Sequence, residues 1–471
     1  MKKLPSLSYL RHEYSKVFMK RSRVMLEFLT QSVITPLLPL FLGTVGIILY
    51  FDLKFFPFVK IKALLSSLFK DANGSSWRAL SVALAGTLGV GNIIGVAFAI
   101  TAGGAGALFW MWVSALLAMI IKYSETLLAI RHRKTVACQK NVLPVMKRQI
   151  GGAMYYIPHK PFARLFAILC IASSFTVGNL LQTNAVSEAF THSFSLPPYI
   201  IGLLFSLLTI IVIWRGIGRI TKFCSVVIPF LSTVYLLMCA SVIVKNVSAL
   251  PSLFGEILAE AFSLRAIEGG VMGSALFQSM RIGFAKGLIT NEAGCGTAPI
   301  AHASADTESA VKQGFLGVIE VFFDTIVLCT ASGLVLLLAH REFPTLNGYA
   351  LVSSAFSGLF GRVGDVILSA SLFFFVLATL VGWSFYGKSA LEYFTENQAV
   401  GKLYLILFSI VAFLGTIGSS EIFWQLSDLT VGLMTFINTG YLLYFRCDIR
   451  LTTEAFFKTK TRLTQKESKS G

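Results

Sequence analysis

Long stretches without Asp, Glu, Lys or Arg recur along the chain and are separated by short polar links. A helix needs about 20 apolar residues to cross a bilayer. Backbone groups in lipid must be hydrogen-bonded within their own segment, so helices are the expected form. The charge-free stretches predict eight spans, two of them within the second stretch: 28–51, 79–121, 165–187, 189–214, 223–244, 366–387 and 403–420. Three further spans contain isolated charges: about 268–301, 314–340 and 422–445. The pattern predicts an all-α integral membrane protein with about eleven transmembrane helices.

Two of these spans carry glycines and polar residues near their centres. Residues 85–95 hold four glycines and Asn92, and residues 269–297 hold a second series of glycines together with charges. Small residues permit close helix packing, but glycine also permits a broken helix, which is tolerable at membrane depth only around a cavity or ligand. Two interrupted spans, five apart, indicate a transporter built as a 5+5 inverted repeat behind one extra N-terminal helix. The repeats would be about 79–245 and 268–445.

The composition agrees with a membrane protein and leaves its charge to be explained. Of 471 residues, 55% are hydrophobic and 13% are charged, against about 25% charged in ordinary soluble domains. The apolar content also excludes intrinsic disorder. A net charge of +17 could indicate nucleic-acid binding, but 23 of the 40 basic residues lie in four segments on one side of the predicted membrane: 52–78, 131–164, 215–222 and 446–471.

By the positive-inside rule the basic side is cytoplasmic. We therefore predict a multi-pass protein of the cell's inner (plasma) membrane, in contact with lipid rather than nucleic acid. Its parts would be a basic extension at 1–24, a transporter domain at 25–445 and a basic cytoplasmic tail at 446–471. Residues 1–24 conflict with this topology, because their seven Lys/Arg and one Glu fall outside. We favour a tolerated tail or a start at Met19 or Met25; N-terminal sequencing that found an intact Met1 would exclude the later start.

Two patterns typical of nucleotide-binding loops occur inside predicted spans, where the surrounding structure does not suit such loops. Residues 382–389 match GxxxxGK[ST], and residues 89–95 resemble a dinucleotide fingerprint. Each of these motifs needs a strand leading into a helix, whereas here both lie in apolar spans. The seven cysteines form no CxxC pair, and the six histidines form no ligand cluster. We predict no cofactor, and no metal apart from a coupling ion.

Several motifs in order resemble the alanine or glycine:cation symporter family over about residues 25–445: GTLGVGNIIG at 86–95, FWMW at 109–112, KYSE at 122–125, GGAMYY at 151–156, NEAGCG at 291–296 and GWSFYG at 382–387. The resemblance implies the leucine-transporter fold and Na⁺-coupled, sometimes H⁺-coupled, uptake of alanine or glycine, often in either enantiomer. The chain departs from the family pattern at Ala153, Cys295, Lys388 and Ile437. These departures leave the substrate and ion open.

The resemblance places the substrate carboxylate on the backbone of Gly89, Val90 and Gly91, where a Cβ would block the approach. Ala85 and Leu88 match positions whose carbonyls bind one sodium ion.

Thr87 and Asn92 match a second ion site, made of neutral hard oxygen ligands. Asn92 could instead form a hydrogen bond between helices. Thr379 would offer its hydroxyl to Na⁺ or substrate, and Gly283, in the second interrupted span, is assigned to the substrate.

Gln182 would bind a zwitterionic amino acid through its neutral amide, on the same helix face as Asn179. Polar packing between helices is the alternative. Trp383, one turn after Thr379, would form a wall that limits substrate size; otherwise it is an interfacial belt residue.

Two acids lie inside apolar spans, where a buried charge is costly and commonly functional. Asp324 and Asp428 could form an ion route, or a structural pair with Arg281 or Lys286. Lys122 and Glu125, which have opposite charges and lie near the cytoplasmic end of a span, are interpreted as a gate or anchor pair.

We therefore predict a transporter that accumulates a small neutral amino acid with Na⁺ by alternating access, acting as a monomer and without enzymatic activity. A proton-coupled permease of the same fold is the alternative. An integral-membrane enzyme would need a cluster of His, Asp or Glu at one face, and a channel would need a pore-lining filter.

Overall fold

The computed structural model describes residues 25, 29–30, 34–62, 65, 74–137, 147–214, 216–263, 275–307, 309–418 and 420–470. The predictions for residues 1–24 and for the glycines at 269, 270 and 273 lie outside these residues. The regular structure of the described part is helical apart from one antiparallel strand pair, in which Lys134 is paired with Ile150.

The first half of the chain contains nine helices and the two strands in this order: α1 (Thr35–Asp52), α2 (Phe56–Val59), α3 (Ser75–Thr87), α4 (Val96–Gly103), α5 (Gly106–Arg131), β1 (Lys134–Ala137), β2 (Lys147–Ile150), α6 (Ala153–Tyr156), α7 (Lys160–Phe175), α8 (Leu181–Phe194) and α9 (Pro198–Ile213), among the described residues. π-Helical segments at Gly91–Gly95 and Thr176–Leu180 precede α4 and α8.

The second half continues with α10 (Ile217–Lys245), a 3₁₀ turn (Val247–Ala249), α11 (Leu250–Ala261), α12 (Ala275–Asn291), α13 (Ala298–Ala303), α14 (Ala310–Val321), a π segment (Phe322–Cys329), α15 (Thr330–Glu342), α16 (Gly348–Leu391), α17 (Gln398–Ile417), α18 (Ser420–Tyr444) and α19 (Arg446–Ser470).

Six helical stretches of the described residues are each long and apolar enough to cross a membrane: Gly106–Arg131, Lys160–Phe194, Ile217–Lys245, Ala310–Glu342, Gly348–Leu391 and Gln398–Ile417. A seventh is α3 with the Gly91–Gly103 helix, if that bent pair is one span. This agrees with a multi-pass membrane protein. The larger number of eleven spans and the inverted repeat stay predictions.

Helix ends differ from the predicted span ends because charges do not terminate helices. The predicted spans 165–187 and 189–214 meet at Glu188, but the helix continues past this exposed residue to Phe194, and the next one begins at Pro198. The predicted link 341–365 contains the first part of α16, which is kinked at Gly361 (φ 56°). The predicted link 245–268 contains α11.

Burial separates central from peripheral helices. The apolar stretch of α5 is 83% buried, whereas that of α10 is 39% buried. On α10, Val226, Phe230 and Leu237 are all exposed, which is costly in water but natural against lipid tails. Helix α5 is therefore a central helix of the bundle, and α10 presents one face to lipid.

The C-terminal segment, predicted as a basic tail, is helix α19 and is docked onto the bundle. The Arg131 guanidinium lies 2.7 Å from the Asp448 carboxylate, and the Tyr123 hydroxyl lies 2.6 Å from that of Thr453. The ring of Phe457 packs against Phe56, with centroids 5.4 Å apart. Because these contacts tie α19 to the end of α5, the tail is part of the folded structure.

We expect Tyr123→Phe to loosen this docking, because it removes the hydroxyl that bonds Thr453. A buried hydrogen bond contributes about 1 kcal/mol, so the undocked population should rise about fivefold, as should the rate of tryptic cleavage within α19. Tyr444→Phe is the matched control, since that tyrosine is 64% exposed. Equal cleavage rates in wild type and Tyr123→Phe would contradict the proposed role of the hydroxyl.

Candidate functional site

The helix that starts at Ser75 is broken, as the glycines predicted. Helix α3 ends at Thr87, Leu88 adopts extended dihedrals (φ −76°, ψ 98°), and the axis bends by 54° before the Gly91–Gly103 helix. Breaking a helix frees backbone N–H and C=O groups that must find other partners. The break is buried, with Leu88 and Val90 each 1% exposed, so those partners come from neighbouring helices.

One face of α16 supplies several of these partners. The Thr379 hydroxyl oxygen lies 3.1 Å from the Leu88 carbonyl oxygen, and the Trp383 indole N–H donates to the Gly86 carbonyl over 3.2 Å. The spacing of the two side chains places them on one helix face, so the predicted pairing of Thr379 with Trp383 holds. Trp383 is fully buried, which is incompatible with an interfacial belt residue.

Helix α8 approaches the break from another side. The Gln182 side-chain oxygen accepts a hydrogen bond from the Val90 N–H (3.2 Å). A Cβ on Gly89 would lie 2.8 Å from this oxygen and 2.8 Å from the Thr379 hydroxyl oxygen. A side chain at position 89 would therefore displace one or both of these polar side chains, which glycine leaves in place. Gln182, Thr379 and the break form one polar centre, which we call the helix-break site.

Asn179 does not share the helix face of Gln182. Its amide donates to the Phe408 carbonyl over 2.7 Å, toward α17 and away from the break. The spacing argument assumed α-helical geometry, but Asn179 lies within the π segment Thr176–Leu180, where the turn is wider, and Gln182 follows it. The i,i+3 prediction was wrong for this reason.

A second polar group lies beside the break and centres on Asn92. The Asn92 side-chain oxygen accepts from the Gly89 N–H (3.2 Å), while its amide donates to an Asp324 carboxylate oxygen (2.8 Å). The other oxygen of Asp324 accepts from the Thr325 hydroxyl (2.9 Å), which in turn accepts from the Asn291 amide (3.2 Å). Asp324 thus joins the two interrupted regions of the chain.

Three π-helical segments converge on these groups. Asn92 lies in the first, Gly178 in the second and Asp324 in the third. Such segments widen a helix and are frequent at functional sites. Here they place polar groups at the helix break that regular helices would direct elsewhere. Sequence reasoning did not detect the π segments.

Thr87 and Ala85 lie on the short helix before the break. Ala85 is fully buried, and the Thr87 hydroxyl donates within its own helix to the Leu84 carbonyl (3.3 Å). Gly91, after the break, packs against Thr290 of α12. These three residues adjoin the helix-break site, although the Thr87 hydroxyl forms no hydrogen bond with Gln182 or Thr379 among the described residues.

Two of the predicted site residues are placed elsewhere. Gly283 packs against α5, where a Cβ would lie 2.7 Å from Cβ of Trp110 and closer still to the Ala107 carbonyl. The lack of a side chain at position 283 therefore allows close packing of α12 against α5 and does not serve the helix-break site. Asp428 lines a separate cavity of about 410 Å³ together with Arg281 and Lys286, and no ion pair of 4.0 Å or less joins it to either base among the described residues.

Several residues at the site were not predicted. Tyr386, one turn after Trp383, reaches the Val82 carbonyl over 3.4 Å. Gly178 lies under the Trp383 ring, where any Cβ would collide with the indole. The pattern Thr379, Trp383, Tyr386 is an i, i+4, i+7 row and was available from the sequence. The Gly178–Trp383 contact joins distant segments and was not.

The Lys122–Glu125 pair is also placed differently from the prediction. An anchor at a helix end would be in contact with water, but both side chains are fully buried; a role as a gate stays a prediction. Their ammonium and carboxylate groups lie 3.8 Å apart, and a second acid, Glu320, lies 3.3 Å from Lys122. These groups form a buried network rather than a surface pair.

The cavity at the break itself is small. It has a volume of about 10 Å³ and is lined by residues of the break and of neighbouring helices: Leu88, Gly89, Asn92, Ile93, Tyr235, Leu328 and Phe375. This is about the space that one water molecule occupies. The described conformation is therefore closed around the helix-break site, and admission of a larger ligand requires helices to move apart.

Comparison with known proteins identifies the group to which this arrangement belongs. The pattern of the sodium:alanine symporter family matches residues 19–470. An uncharacterized transporter of Haemophilus influenzae is 36% identical over 90% of this chain and 93% of its own length. The sodium/alanine symporter AgcS of Methanococcus maripaludis is 35% identical, over 81% of this chain and 84% of its own. A probable sodium/glutamine symporter, GlnT of Bacillus subtilis, is 30% identical over 85% and 84%.

These relatives are transporters and not enzymes, and the family match over residues 19–470 includes the helix-break site. The chain belongs to the sodium:alanine symporter family.

Proposed function

We propose that this transporter carries a small neutral amino acid, alanine or glycine in either enantiomer, into the cytoplasm together with Na⁺. The observation that carries the proposal is the helix-break site. The groups around the break are a backbone N–H at Val90, the amide of Gln182 and the hydroxyl of Thr379. None has a net charge, so together they suit a zwitterion better than a charged amino acid.

The substrate carboxylate would bind the N–H groups at the start of the Gly91–Gly103 helix. Freed N–H groups at a helix N-terminus attract anions, and Gly89 leaves space for the approach. In the closed conformation Gln182 accepts from Val90, so substrate would take over this N–H and free the amide for its own polar groups. Binding would thus rearrange contacts between α8 and the broken helix, as alternating access requires.

Sodium would bind oxygen atoms next to the break. The Leu88 carbonyl and Thr379 hydroxyl oxygens are 3.1 Å apart, close enough for both to contact one cation after the hydroxyl hydrogen rotates away. The Ala85 carbonyl would complete that site, as the family resemblance implies. Thr87 and Asn92 would serve a second site, where the Asp324 carboxylate beside Asn92 adds the negative charge that favours a cation.

A proton-coupled permease is the second candidate, and one observation favours it. Asp324 is fully buried, and no basic side chain within 4.0 Å forms an ion pair with it in the described residues. Such a carboxyl group could carry a proton instead of neighbouring a sodium ion. The same proposal includes two inverted repeats, at 79–245 and 268–445, and a protein that acts as a monomer.

The test is accumulation of labelled alanine by the purified protein in proteoliposomes, with a panel of amino acids and cations. Accumulation against a gradient that requires Na⁺ supports the proposal. Accumulation driven by a proton gradient without Na⁺ supports the second candidate. Passive equilibration would indicate a channel, and no flux of any amino acid would overturn the transport proposal.

We expect Trp383→Ala to widen the substrate range. Removing the indole leaves space over Gly178 and beside the break. One methylene in an apolar pocket changes discrimination by about 1–3 kcal/mol, so the ratio of leucine to alanine uptake should rise at least about tenfold. The ratio is measured by competition in the proteoliposome assay, normalised to the amount of folded protein.

Trp383→Phe is the matched variant, because it keeps a ring over Gly178 but loses the N–H that donates to Gly86. It should keep the preference for alanine. If Trp383→Ala folds, transports alanine and still excludes leucine as the wild type does, Trp383 is not the wall of the substrate site.

A further inference from the structure

A cluster of ionisable side chains is buried around Lys122, next in sequence to Tyr123, whose hydroxyl contacts the docked helix α19. It consists of one lysine, one histidine and three glutamates: Lys122 and Glu125 on α5, Glu292 after α12, His302 on α13 and Glu320 on α14. Glu292 is 6% exposed, and the other four are fully buried. The proposed transport mechanism makes no use of them.

Glu320 is the best-compensated acid. One carboxylate oxygen lies 3.3 Å from the Lys122 ammonium, and the other lies 3.0 Å from Nε2 of His302. The remaining histidine nitrogen, Nδ1, lies 2.8 Å from the side-chain nitrogen of Gln313. With a cation on one side and an N–H donor on the other, the carboxylate form of Glu320 is stabilised.

Glu125 is held by neutral donors. One of its oxygens accepts from the Gly296 N–H (3.1 Å) and from the Asn438 amide (2.8 Å). The other oxygen is buried, has no hydrogen-bond partner, and lies 3.8 Å from the Lys122 ammonium that Glu320 already shares. An unpartnered carboxyl oxygen inside a protein is costly.

Glu292 lacks an ion pair of its own. One oxygen accepts from the Thr297 hydroxyl over 2.7 Å, and no basic group lies within 4.0 Å of its carboxyl group among the described residues. The residue itself has a left-handed conformation (φ 51°), and it begins the non-helical segment 292–297 between α12 and α13. The segment that Glu292 begins is therefore the same one that Glu125 holds through Gly296.

The charges of the cluster do not balance. Three carboxylates would face one ammonium, and a charged His302 would raise the positive count only to two. A net negative charge in a buried, membrane-embedded cluster is strongly unfavourable. Other titratable groups face the cluster without adding positive charge: Tyr156, Cys170, Cys295, Asp324 and Tyr386. At least one positive ligand is required for balance.

We propose that the cluster around Lys122 is a proton-binding site in which Glu125 or Glu292 holds a proton. A metal ion fits less well, because no three His, Cys, Asp or Glu groups of the described residues are placed to hold one. The proton-binding site does not depend on the proposed function, but its consequence for transport rests on that function. A proton on Glu125 would weaken the charge-assisted hydrogen bonds to Gly296 and Asn438. Segment 292–297 would then be released from α5.

The test is infrared spectroscopy of the purified protein in lipid, titrated from neutral to alkaline pH. The C=O stretch of a protonated carboxyl group is distinct from the bands of carboxylates. We expect the wild type to lose one such band on titration. The band should persist in the double variant Asp324→Asn, Asp428→Asn, and should be lost in Glu125→Gln or in Glu292→Gln. Glu256→Gln is the control, since Glu256 is paired with Arg341 outside the cluster.

The proposal is overturned if the wild type shows no protonated-carboxyl band, or if the double variant removes all of it. A shift of carboxylate bands on replacing Na⁺ by choline, with no protonated band, would indicate a sodium site instead and would also overturn it. If the glutamate variants do not fold, the spectra of the wild type and of the double variant still test the proposal. Absence of Na⁺-dependent alanine accumulation would refute the proposed function while leaving this band unchanged.

Discussion

Gly89→Ala is expected to lower the initial rate of Na⁺-dependent amino-acid uptake by about 10- to 100-fold. The added Cβ would lie 2.8 Å from the Gln182 side-chain oxygen and 2.8 Å from the Thr379 hydroxyl oxygen, closer than van der Waals contact permits. Overpacking of a dense interior costs about 1–3 kcal/mol. Because both displaced groups are assigned to binding, this cost should fall on transport rather than on folding alone.

Gly440→Ala is the matched control, since nothing lies within 4 Å of a Cβ at that position in α18. Alanine is also the better helix former, so this variant should transport at the wild-type rate and be no less stable. The measurement is labelled alanine uptake into proteoliposomes at equal protein content. Wild-type uptake by a folded Gly89→Ala protein would refute the assignment of the helix-break site.

Asp324→Asn is expected to raise the Na⁺ concentration that gives half-maximal uptake by about 10- to 100-fold. The carboxylate is fully buried and accepts from Asn92 and Thr325, so the substitution removes a charge without changing the size of the side chain. At an effective dielectric constant of about 20, a unit charge about 4 Å from a cation contributes about 4 kcal/mol. Loss of part of this energy accounts for the expected shift.

Asp365→Asn serves as the control, because Asp365 accepts from Ser353 in the outer part of α16 and not at the break. Its Na⁺ dependence should match the wild type. If Asp324→Asn keeps the wild-type Na⁺ dependence but loses dependence on a proton gradient, the carboxyl group carries a proton and the second candidate function is supported. No change in either dependence would leave Asp324 a structural partner of Asn92.

Some of the site could be predicted because it depends on local chemistry. Four glycines around Asn92 predict a break in one helix whatever its neighbours are, and the 54° bend agrees. Likewise, Thr379 and Trp383 share a helix face by spacing alone. The spacing argument failed at Asn179, because the π segment around that residue changes the angle between successive side chains.

The contacts between distant segments could not be predicted from local patterns. Gln182 reaches Val90 across 92 residues of sequence, and Asn92 reaches Asp324 across 232. The sequence position of Lys122 indicated a charge near the end of a helix, yet its side chain is fully buried. Nothing in a linear pattern of charges states which helices cover a given side chain.

The sequence by itself determined that the chain is a membrane-embedded helical protein with a glycine-broken span; the cytoplasmic side assigned from its basic links stays a prediction. These features could be predicted because hydropathy, glycine content and loop charge act locally, so each segment can be interpreted without its neighbours. Only the tertiary structure decided that Gln182, Thr379 and Trp383 converge on the break, that Gly283 and Asp428 do not, and that three glutamates share one lysine. Those outcomes depend on helix packing, in which π segments and small residues set the approach of side chains from distant parts of the chain.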